Sequence, residues 1–313
     1  MLRFIAERLV SGAILLCAIA TFTFFLIYSS GANIAQTILG QSASQEQVAA
    51  KAAELGLDQP LAERYISWLG AAAKGDLGNS WFTSEAVSSA ILGRLPVTIT
   101  LVVMALVISG LAATVLAMLA AVRRGWLDKV LQVFSVAGFA IPGFIVGILL
   151  ITVFALNLKI LPATGYVPFP RDPARWSMSI TLPVAALAIA SVAAVASQLR
   201  SSIIEVRQKD FVRTLKTRGL GQGEILFRHV LRSSASSGLT VLSLQFVGLM
   251  SGSVVIEQLF ALPGIGSLAV NSTAQGDLPV VMGVVVYTVI VVIVVNVLVD
   301  LLVGFLNPKV RVH

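Results

Sequence analysis

The sequence predicts an all-α integral membrane protein with six transmembrane helices. Of its 313 residues, 57% are hydrophobic and 12% are charged, whereas a soluble domain is about 25% charged. Uncharged apolar stretches recur along the chain, and they are long enough to cross a bilayer as helices of roughly 20 residues. The charged residues lie between these stretches. Residues 1–313 are therefore interpreted as a single transmembrane domain in a lipid bilayer.

The first span is predicted over the apolar stretch Leu9–Tyr28, which follows Arg3 and Arg8. A signal peptide has the same charge order, but its apolar core is only about 7–15 residues long. The longer stretch found here predicts a signal anchor that remains in the membrane.

Residues 31–95 are polar and mixed, which predicts an extracytoplasmic helical insertion between helices 1 and 2. One helix is expected over Gln45–Leu55 and a second over Asp58–Leu69, because Pro60 favours a helix start. Ser84 can cap a third helix. The inner face of that third helix consists of Val87, Ile91 and Leu95.

Five further spans are predicted after the insertion. The third span of the chain contains Pro142 in its first half, and a proline inside a helix is expected to kink it because one backbone hydrogen bond is lost. Asn307-Pro308-Lys309 ends the last span. The five predicted spans are Pro96–Val122, Lys129–Leu158, Ser179–Leu199, Ser236–Ile256 and Val280–Leu306.

Basic residues are concentrated on one side of the predicted membrane. They are frequent in residues 1–8, 122–130, 200–235 and 307–313 and sparser in the other connections. Because cytoplasmic loops carry an excess of Lys and Arg, both termini are predicted to be cytoplasmic. The net charge of +7 is then explained by cytoplasmic loops that face an anionic membrane leaflet and partner proteins. Nucleic acid is not an expected partner.

Few residues of the predicted spans can carry out chemistry. Cys17 is the only cysteine, and the two histidines, His229 and His313, make no metal pair by spacing. We therefore expect no catalytic residue, cofactor or metal site in this chain. Proton-coupled carriers bury ionisable groups near the membrane centre, whereas Glu257 and Asp300 lie towards the ends of their spans. No G-x-x-x-x-G-K-[ST] phosphate loop occurs, so ATP would have to bind another chain.

Small residues are frequent in two of the spans. They either pack helices closely or line a polar path, and packing is the favoured interpretation for most of them. They lie within Ala185–Ala196 and at Gly248, Ser251, Gly252 and Ser253.

Residues 200–235 form the most charged and least apolar run of the chain. Its apolar residues keep a helical spacing, which predicts two amphipathic helices separated by a break at Gly219, Gly221 and Gly223. Such helices suit docking into a groove on a partner. The predicted apolar face of the first helix is Ile204, Phe211, Val212 and Leu215. That of the second helix is Leu226, Phe227, Val230 and Leu231.

Asp210-Phe211-Val212-Arg213-Thr214, followed by Lys216 and Arg218-Gly219-Leu220, resembles the EAA-type coupling loop of ABC import permeases. The variant is that of the dipeptide, oligopeptide and nickel branch, which mostly has alanine where Leu215 and Thr217 stand. The resemblance implies that residues 200–235 form a cytoplasmic coupling loop that docks on an ATPase. The residues assigned to coupling are Asp210, Phe211, Arg213, Thr214, Lys216, Arg218, Gly219, Leu220 and Glu224.

Other segments resemble the same branch. LGLDQPLAERYISWL from Leu55, GDLGNS at Gly75–Ser80 and RLPVTITL at Arg94–Leu101 are similar to its extracytoplasmic region. EQLFALPGIGSL at Glu257–Leu268 resembles its E-x-x-F-x-x-P-G-x-G-x-L motif, which implies a re-entrant or capping turn. This turn is either an outer gate at the mouth of the pathway or a structural connection. Its assigned residues are Glu257, Phe260, Pro263, Gly264, Ile265 and Gly266.

The resemblance implies a permease subunit and not an enzyme. Its expected partners are a second homologous permease, two cytoplasmic ATPase subunits that bind ATP and magnesium, and an extracytoplasmic substrate-binding protein. Di- and oligopeptides are the expected cargo, with nickel, glutathione, a sugar or another small solute as alternatives. A secondary transporter or channel and a membrane scaffold or receptor are alternatives from other classes. The expected location is the inner or plasma membrane of a bacterium or archaeon, as a multi-pass protein.

Overall fold

The computed structural model describes residues 2–28, 34–122 and 141–306. Within these ranges the chain is helical, and its only strand-like feature is a bridge between Asn79 and Ala86. The all-α prediction is therefore confirmed for the described residues. The helices are α1 Leu2–Tyr28, α2 Ile34–Leu39, α3 Gln45–Glu54, α4 Leu61–Ala72, α5 Val87–Val122, α6 Gly143–Leu150, α7 Pro173–Arg207, α8 Asp210–Thr217, α9 Gln222–Glu224, α10 Leu231–Leu259, α11 Ile265–Gln275 and α12 Leu278–Leu306.

Five of the described helices are long and apolar enough to cross a membrane, as an integral membrane protein requires. A further apolar helix, Gly143–Asn157, is shorter. The start of the third predicted span falls within residues 123–140, which lie outside the described residues. Asn307-Pro308-Lys309, which was predicted to end the last span, also lies outside them. The count of six spans therefore stays a prediction. The five long spans are Ala6–Tyr28, Val87–Ala120, Pro173–Arg207, Ser237–Leu259 and Leu278–Val303.

The third helix predicted in the insertion is not a separate element. Its residues form the first turns of α5, which continues through Pro96 to Val122, so this helix starts earlier than the predicted span. Val87 and Ile91 are fully buried, and this confirms the predicted inner face. Burial of that face explains why the helix continues across a proline that removes only one backbone hydrogen bond. Ser84 does not cap the helix, because it lies in the preceding turn with a φ of 58°.

Pro142 lies at the start of α6 and not inside a helix, so the predicted kink is not found among the described residues. Its backbone is extended, with φ −57° and ψ 138°, and Gly143 is the first helical residue. Proline is suited to a helix start, because the first N–H groups of a helix need no intrahelical acceptor. Wider π-type turns over Ile151–Asn157 continue α6. The chain then bends through residues 161–165, where Gly165 adopts a φ of 96°.

The described chain forms two compact units. The first contains residues 97–262 and the chain from residue 294 onward, and in it α7 packs against α6 and α10. Most small residues of α7 are buried within this unit, because small side chains allow neighbouring helices to approach closely. This confirms the packing role predicted for that stretch. The buried alanines of α7 are Ala186, Ala188, Ala193 and Ala196.

The second unit contains residues 2–96 and 263–293. Its apolar core combines the start of α5 with α11 and the start of α12. Gly283 makes this approach possible, because a Cβ atom added to it would collide with the Val87 side chain. The core residues are Leu77, Val87, Ala90, Ile91, Ile265, Leu268, Val280 and Val284.

Two insertion helices, α3 and α4, lie close to their predicted positions. The Ser44 Oγ accepts a hydrogen bond from the Gln47 N–H at 3.3 Å, and the Gln47 side chain accepts one from the Ser44 N–H at 2.9 Å. This capping box explains where α3 begins. Pro60 immediately precedes α4, in agreement with the predicted helix start.

Aromatic side chains join α4 to α1. The Phe24 ring lies 5.3 Å from the Tyr65 ring and 5.7 Å from the Trp68 ring, between ring centres. The guanidinium carbon of Arg64 lies 4.3 Å from the centre of the Tyr28 ring, a cation–π arrangement. Burial lowers the pKa of Arg64 from its ordinary value. These contacts hold the insertion on the end of the first span.

A buried carboxylate fixes the turn that follows α4. The Ser80 Oγ donates a hydrogen bond to Asp277 Oδ2 at 2.5 Å, and the Trp81 N–H donates to Asp277 Oδ1 at 3.2 Å. Asp277 is only 3% exposed and Ser80 only 5%. The GDLGNS segment is therefore a turn that positions Ser80, and it anchors the insertion at the start of α12.

Replacing Ser80 by alanine should lower the free energy of unfolding by about 1–3 kcal/mol, because the buried Asp277 carboxylate loses a donor. The measurement is the thermal unfolding of the detergent-purified protein. Ser89→Ala is the matched control, since Ser89 is exposed on α5, and it should change stability by less than about 0.5 kcal/mol. Equal stability of both variants and the wild type would show that the Ser80 hydrogen bond is not needed.

Candidate functional site

The predicted coupling loop is an ordered hairpin, which we define as residues 208–230. Helix α7 ends at Arg207, and α8 follows over Asp210–Thr217. The chain turns at Gly219 and continues through the short helix α9 and the π-type turns Ile225–Val230 into α10. The predicted break is found at Gly219, and a short helix precedes it. Gly223 lies inside α9 and not in the break, the second helix is continuous with α10, and Ile204, which was assigned to the first helix, belongs to α7.

One face of the 208–230 hairpin is buried against its own spans. Val212 of α8 is 1% exposed, and Ile225 and Val230 are 4% and 0% exposed. They form a single apolar cluster with the neighbouring ends of α5 and α7, so the hairpin is held to the helix ends by burial of apolar surface. The cluster partners from those spans are Ala117, Met118, Leu199, Ile203 and Val206.

Two aromatic residues predicted on the inner faces lie on the outside. Phe211 is 40% exposed and Phe227 is 65% exposed. Successive residues of a helix point about 100° apart, so a narrow buried face that contains Val212 leaves Phe211 outside it. Ile225, which was not predicted, takes the buried position that was assigned to Phe227.

Gly219 ends α8 in a left-handed backbone conformation. Its φ is 80°, a left-handed value that costs other residues steric strain. The Gly219 N–H donates to the Lys216 carbonyl at 3.0 Å and the Leu220 N–H donates to the Leu215 carbonyl at 3.3 Å. These two bonds form a Schellman motif, which ends α8 and reverses the chain.

The hairpin charges are exposed and pair within their own helices. Arg213 lies 3.7 Å from Asp210, and Arg228 lies 3.7 Å from Glu224. Exposed pairs of this kind stabilise a fold by only about 0–1 kcal/mol, so they are available for other partners. Thr214 Oγ1 donates to the Asp210 carbonyl. Lys216 and Arg218 are also exposed, whereas Leu220 packs against the apolar cluster.

The E-x-x-F-x-x-P-G-x-G-x-L segment is well packed. Glu257 is fully buried at the end of α10 and accepts a hydrogen bond from Thr98 Oγ1 at 2.6 Å. Phe260 is 1% exposed, and its carbonyl accepts a hydrogen bond from the Gly165 N–H at 3.0 Å. Thr98 was not assigned to a site from the sequence, although it lies in the RLPVTITL segment. These bonds favour the structural interpretation of the turn.

The second part of this segment is a helix and not only the turn that was predicted. Gly264 precedes α11, which begins at Ile265. Ile265 is 2% exposed, and Gly266 is also buried. Pro263 is exposed. Because the Ile265 side chain belongs to a core, a gating role at this position stays a prediction that its burial does not favour.

The site has no grouping of side chains that suits a metal. In the part of the chain that the structure describes, no three His, Cys, Asp or Glu residues are placed to hold a metal ion. Asp300 is half-buried within the span Leu278–Val303. The features that distinguish this chain are therefore its spans, the 208–230 hairpin and the outer turn.

Comparison with known proteins identifies the class. Residues 113–312 match the family described as binding-protein-dependent transport system inner membrane component. Residues 1–102 match the N-terminal region described for membrane components of such systems. These two matches identify the chain as a membrane component of a transport system, and its apolar spans are consistent with that class.

Named relatives agree with this class. The chain is 37% identical to a putative peptide transport system permease protein of Brucella abortus, over 90% of each chain. It is 35% identical to the dipeptide transport system permease protein DppB of Bacillus subtilis, over 100% of this chain and 99% of the relative. It is also 35% identical to the oligopeptide transport system permease protein OppB of Haemophilus influenzae, over 99% of this chain and 100% of the relative. The chain belongs to the binding-protein-dependent inner membrane component family, the permeases of ABC transporters.

Replacing Val212 by alanine should lower the free energy of unfolding by about 1–3 kcal/mol, because it removes buried apolar surface from the cluster beneath the hairpin. Phe211→Ala is the comparison, since this larger neighbouring side chain is 40% exposed, and it should have the smaller effect. Thermal unfolding of both purified variants checks the order. A larger loss of stability for Phe211→Ala would show that the face of α8 that packs on the spans contains Phe211 and not Val212.

Proposed function

We propose that this chain is the permease subunit of an ATP-driven importer of di- and oligopeptides. The observation that carries the proposal is the 208–230 hairpin, which has an inner face fixed to the spans and an outer face that is exposed. The relatives of DppB and OppB type, which match along nearly the whole chain, support peptide as the cargo. The alternative cargos are nickel, glutathione or another small solute, which the same arrangement of subunits could import.

The proposed topology has six spans with both termini in the cytoplasm of a bacterium or archaeon. The basic hairpin then lies at the cytoplasmic leaflet of the inner or plasma membrane, where Lys and Arg are favoured. Residues 31–95 lie on the opposite side, as the extracytoplasmic insertion. The five long apolar helices support this topology, with Gly143–Asn157 as part of the remaining span.

The hairpin works as a rigid lever between the ATPases and the spans. Phe211 and Phe227 present exposed aromatic surface, and Arg213 and Lys216 present exposed charge on the same hairpin. A groove on an ATPase subunit can take up such a surface. Because Val212 and Ile225 are buried against the spans, movement of the outer face transmits to the helix ends. The transport cycle would then be an alternating-access transition driven by ATPase closure.

The remaining partners are assigned to other surfaces. A second homologous permease completes the translocation path, and two cytoplasmic ATPase subunits bind ATP and magnesium. A substrate-binding protein delivers the cargo to the outer side, where residues 31–95 are the segment of domain-like size. The outer turn at Glu257–Gly266 is assigned to the mouth of the path, where it either gates the path or only supports it.

Transport should require ATP hydrolysis by the partner subunits. In proteoliposomes that contain the complete complex, ATP and a peptide-loaded binding protein, vanadate should abolish peptide uptake and a protonophore should leave it unchanged. Uptake that survives vanadate and stops with the protonophore would instead indicate a secondary carrier. Equilibration of peptide without ATP would indicate a channel.

Replacing Gly219 by valine should uncouple the complex while the spans remain folded. Valine is disfavoured at a φ of 80°, so the turn between α8 and α9 should distort. The measurements are retention of the ATPase subunits and substrate-stimulated ATP hydrolysis by the purified complex, both of which should fall. Single changes at Asp210, Arg213 or Lys216 should have milder effects, because exposed pairs contribute little.

Gly223→Ala is the matched control for this experiment. Gly223 lies on the same hairpin, has no neighbour within 4 Å of an added Cβ atom and has no positive φ. Its alanine variant should assemble and respond to substrate normally. Normal assembly and stimulation in Gly219→Val would refute the coupling role of the turn.

A further inference from the structure

A cavity within the first unit lies between three helices of the membrane region. Its volume is about 270 Å³, slightly below the range of roughly 300–1,000 Å³ that is usual for small-molecule sites. The cavity lies between α6, α7 and α10. Four small residues, Gly143, Ala190, Gly248 and Gly252, line it together with five large apolar ones: Phe144, Leu187, Leu249, Val255 and Ile256.

Two polar side chains line this cavity without a hydrogen-bond partner among the residues that the structure describes. Ser191 is only 2% exposed and lines the cavity, and its Oγ has no hydrogen-bond partner in the described part of the chain. Gln245 lines the same cavity from α10, and its side-chain amide makes no hydrogen bond within the described ranges. A buried hydroxyl without a partner is unfavourable in an apolar environment. The Ser191 hydroxyl is therefore available to an external partner, and the half-buried Gln245 offers a second polar group in the same cavity.

Ser191 and Ser234 are the buried serines of α7 and α10 whose Oγ atoms have no hydrogen-bond partner among the described residues, and of the two only Ser191 lines this cavity. A serine in a helix usually donates to the carbonyl three or four residues earlier, as Ser179 donates to Trp176 and Ser253 donates to Met250. Ser191 makes no such bond, although it lies near the middle of the span Pro173–Arg207. Helix geometry alone thus does not account for its polar side chain.

We propose that Ser191 and Gln245 form a peptide-contact site on the translocation path, at which they bind the main-chain amide groups of the cargo. This rests on the proposed function of the chain as a peptide permease. A hydroxyl and a carboxamide each both donate and accept hydrogen bonds, so they match the N–H and C=O of any peptide bond. The rest of the described wall is apolar, so it offers no further polar group that could select among the side chains of the cargo. The described wall carries no charge, so the site would not select cargo by its charge.

The small residues of α10, which the sequence analysis treated as one group, differ in whether they line this cavity. Among the small residues of α10, Gly248 and Gly252 line the cavity. Ser253 does not line it, is fully buried and is bonded to the Met250 carbonyl. Ser253 therefore provides a residue of the same type, in the same unit, that should have no contact with cargo.

The test uses cysteine labelling in the complete complex. Cys17 is the only cysteine of the chain, so Cys17→Ser gives a background for Ser191→Cys or Ser253→Cys. In proteoliposomes with the ATPase subunits, binding protein and ATP, a membrane-impermeant methanethiosulfonate should modify Ser191→Cys at least about tenfold faster than Ser253→Cys. A tryptic casein digest should slow that modification at least about threefold, and the same free amino acids should not.

Two further variants separate contact with cargo from a structural role. Ser191→Ala should lower peptide uptake at least about threefold without lowering Tm, because the hydroxyl that it removes has no partner in the described part of the chain. Ser191→Thr restores the hydroxyl and should recover uptake. If Ser191 served only the fold, Ser191→Ala would lower Tm or leave uptake unchanged.

The outcomes distinguish this site from the function of the whole protein. Peptide uptake by the Cys17→Ser complex, with Ser191→Cys no more reactive than Ser253→Cys in any nucleotide state, would overturn the site and leave the importer intact. Reactive Ser191→Cys that the digest fails to protect would overturn contact with peptide. Absence of peptide uptake in both the wild-type and the Cys17→Ser complexes, with Ser191→Cys still reactive, would contradict the peptide cargo and support only a water-filled path.

Discussion

The proposed mechanism depends on one packing interaction: the burial of a narrow apolar face of the 208–230 hairpin against the ends of its own spans. Val212, Ile225 and Val230 are almost entirely buried there. The exposed ion pairs of the hairpin cannot replace this interaction, because each stabilises the fold by only about 0–1 kcal/mol. The hairpin is therefore fixed on its inner side by apolar burial and left free on its outer side for a partner.

The spans use polar side chains sparingly, and most of those described are paired. Within the first unit, Thr98 donates to the buried Glu257 carboxylate at 2.6 Å, and Ser243 donates to Asn296 at 2.7 Å. Hydrogen bonds of this kind hold helices together where lipid offers no alternative partner. Among the described residues, the buried hydroxyls of Ser191 and Ser234 have no such partner, and Ser191 is assigned to contact with cargo because it also lines the cavity.

The sequence was a good guide wherever one periodicity or one residue type determined the local structure. Apolar length predicted the long spans, and the glycine break predicted the left-handed turn at Gly219. It was a poorer guide to boundaries and faces. Pro96 does not begin α5, because burial of Val87 and Ile91 extends the helix on its N-terminal side. Apolar character alone placed Phe211 on the inner face of α8, although only one narrow face can be buried.

Long-range pairs could not be predicted at all from the residues alone. The Ser80–Asp277 and Thr98–Glu257 hydrogen bonds join positions that are 197 and 159 residues apart in the chain. No local spacing signals such a pair, because each partner looks like an ordinary polar residue at the end of an apolar segment. The cavity at Ser191 and Gln245 is of the same kind, since it exists only after α7 and α10 have packed.

The most direct test of the proposed coupling is photo-crosslinking from the outer face of the hairpin in the complete complex. A photoreactive phenylalanine analogue at position 227 replaces a side chain that is 65% exposed, and one at position 244 replaces Leu244, which is 70% exposed within a span. Position 227 should crosslink to an ATPase subunit, and position 244 should crosslink only to lipid or the second permease. Failure of position 227 to reach an ATPase in any nucleotide state would contradict the assignment of this hairpin as the coupling element.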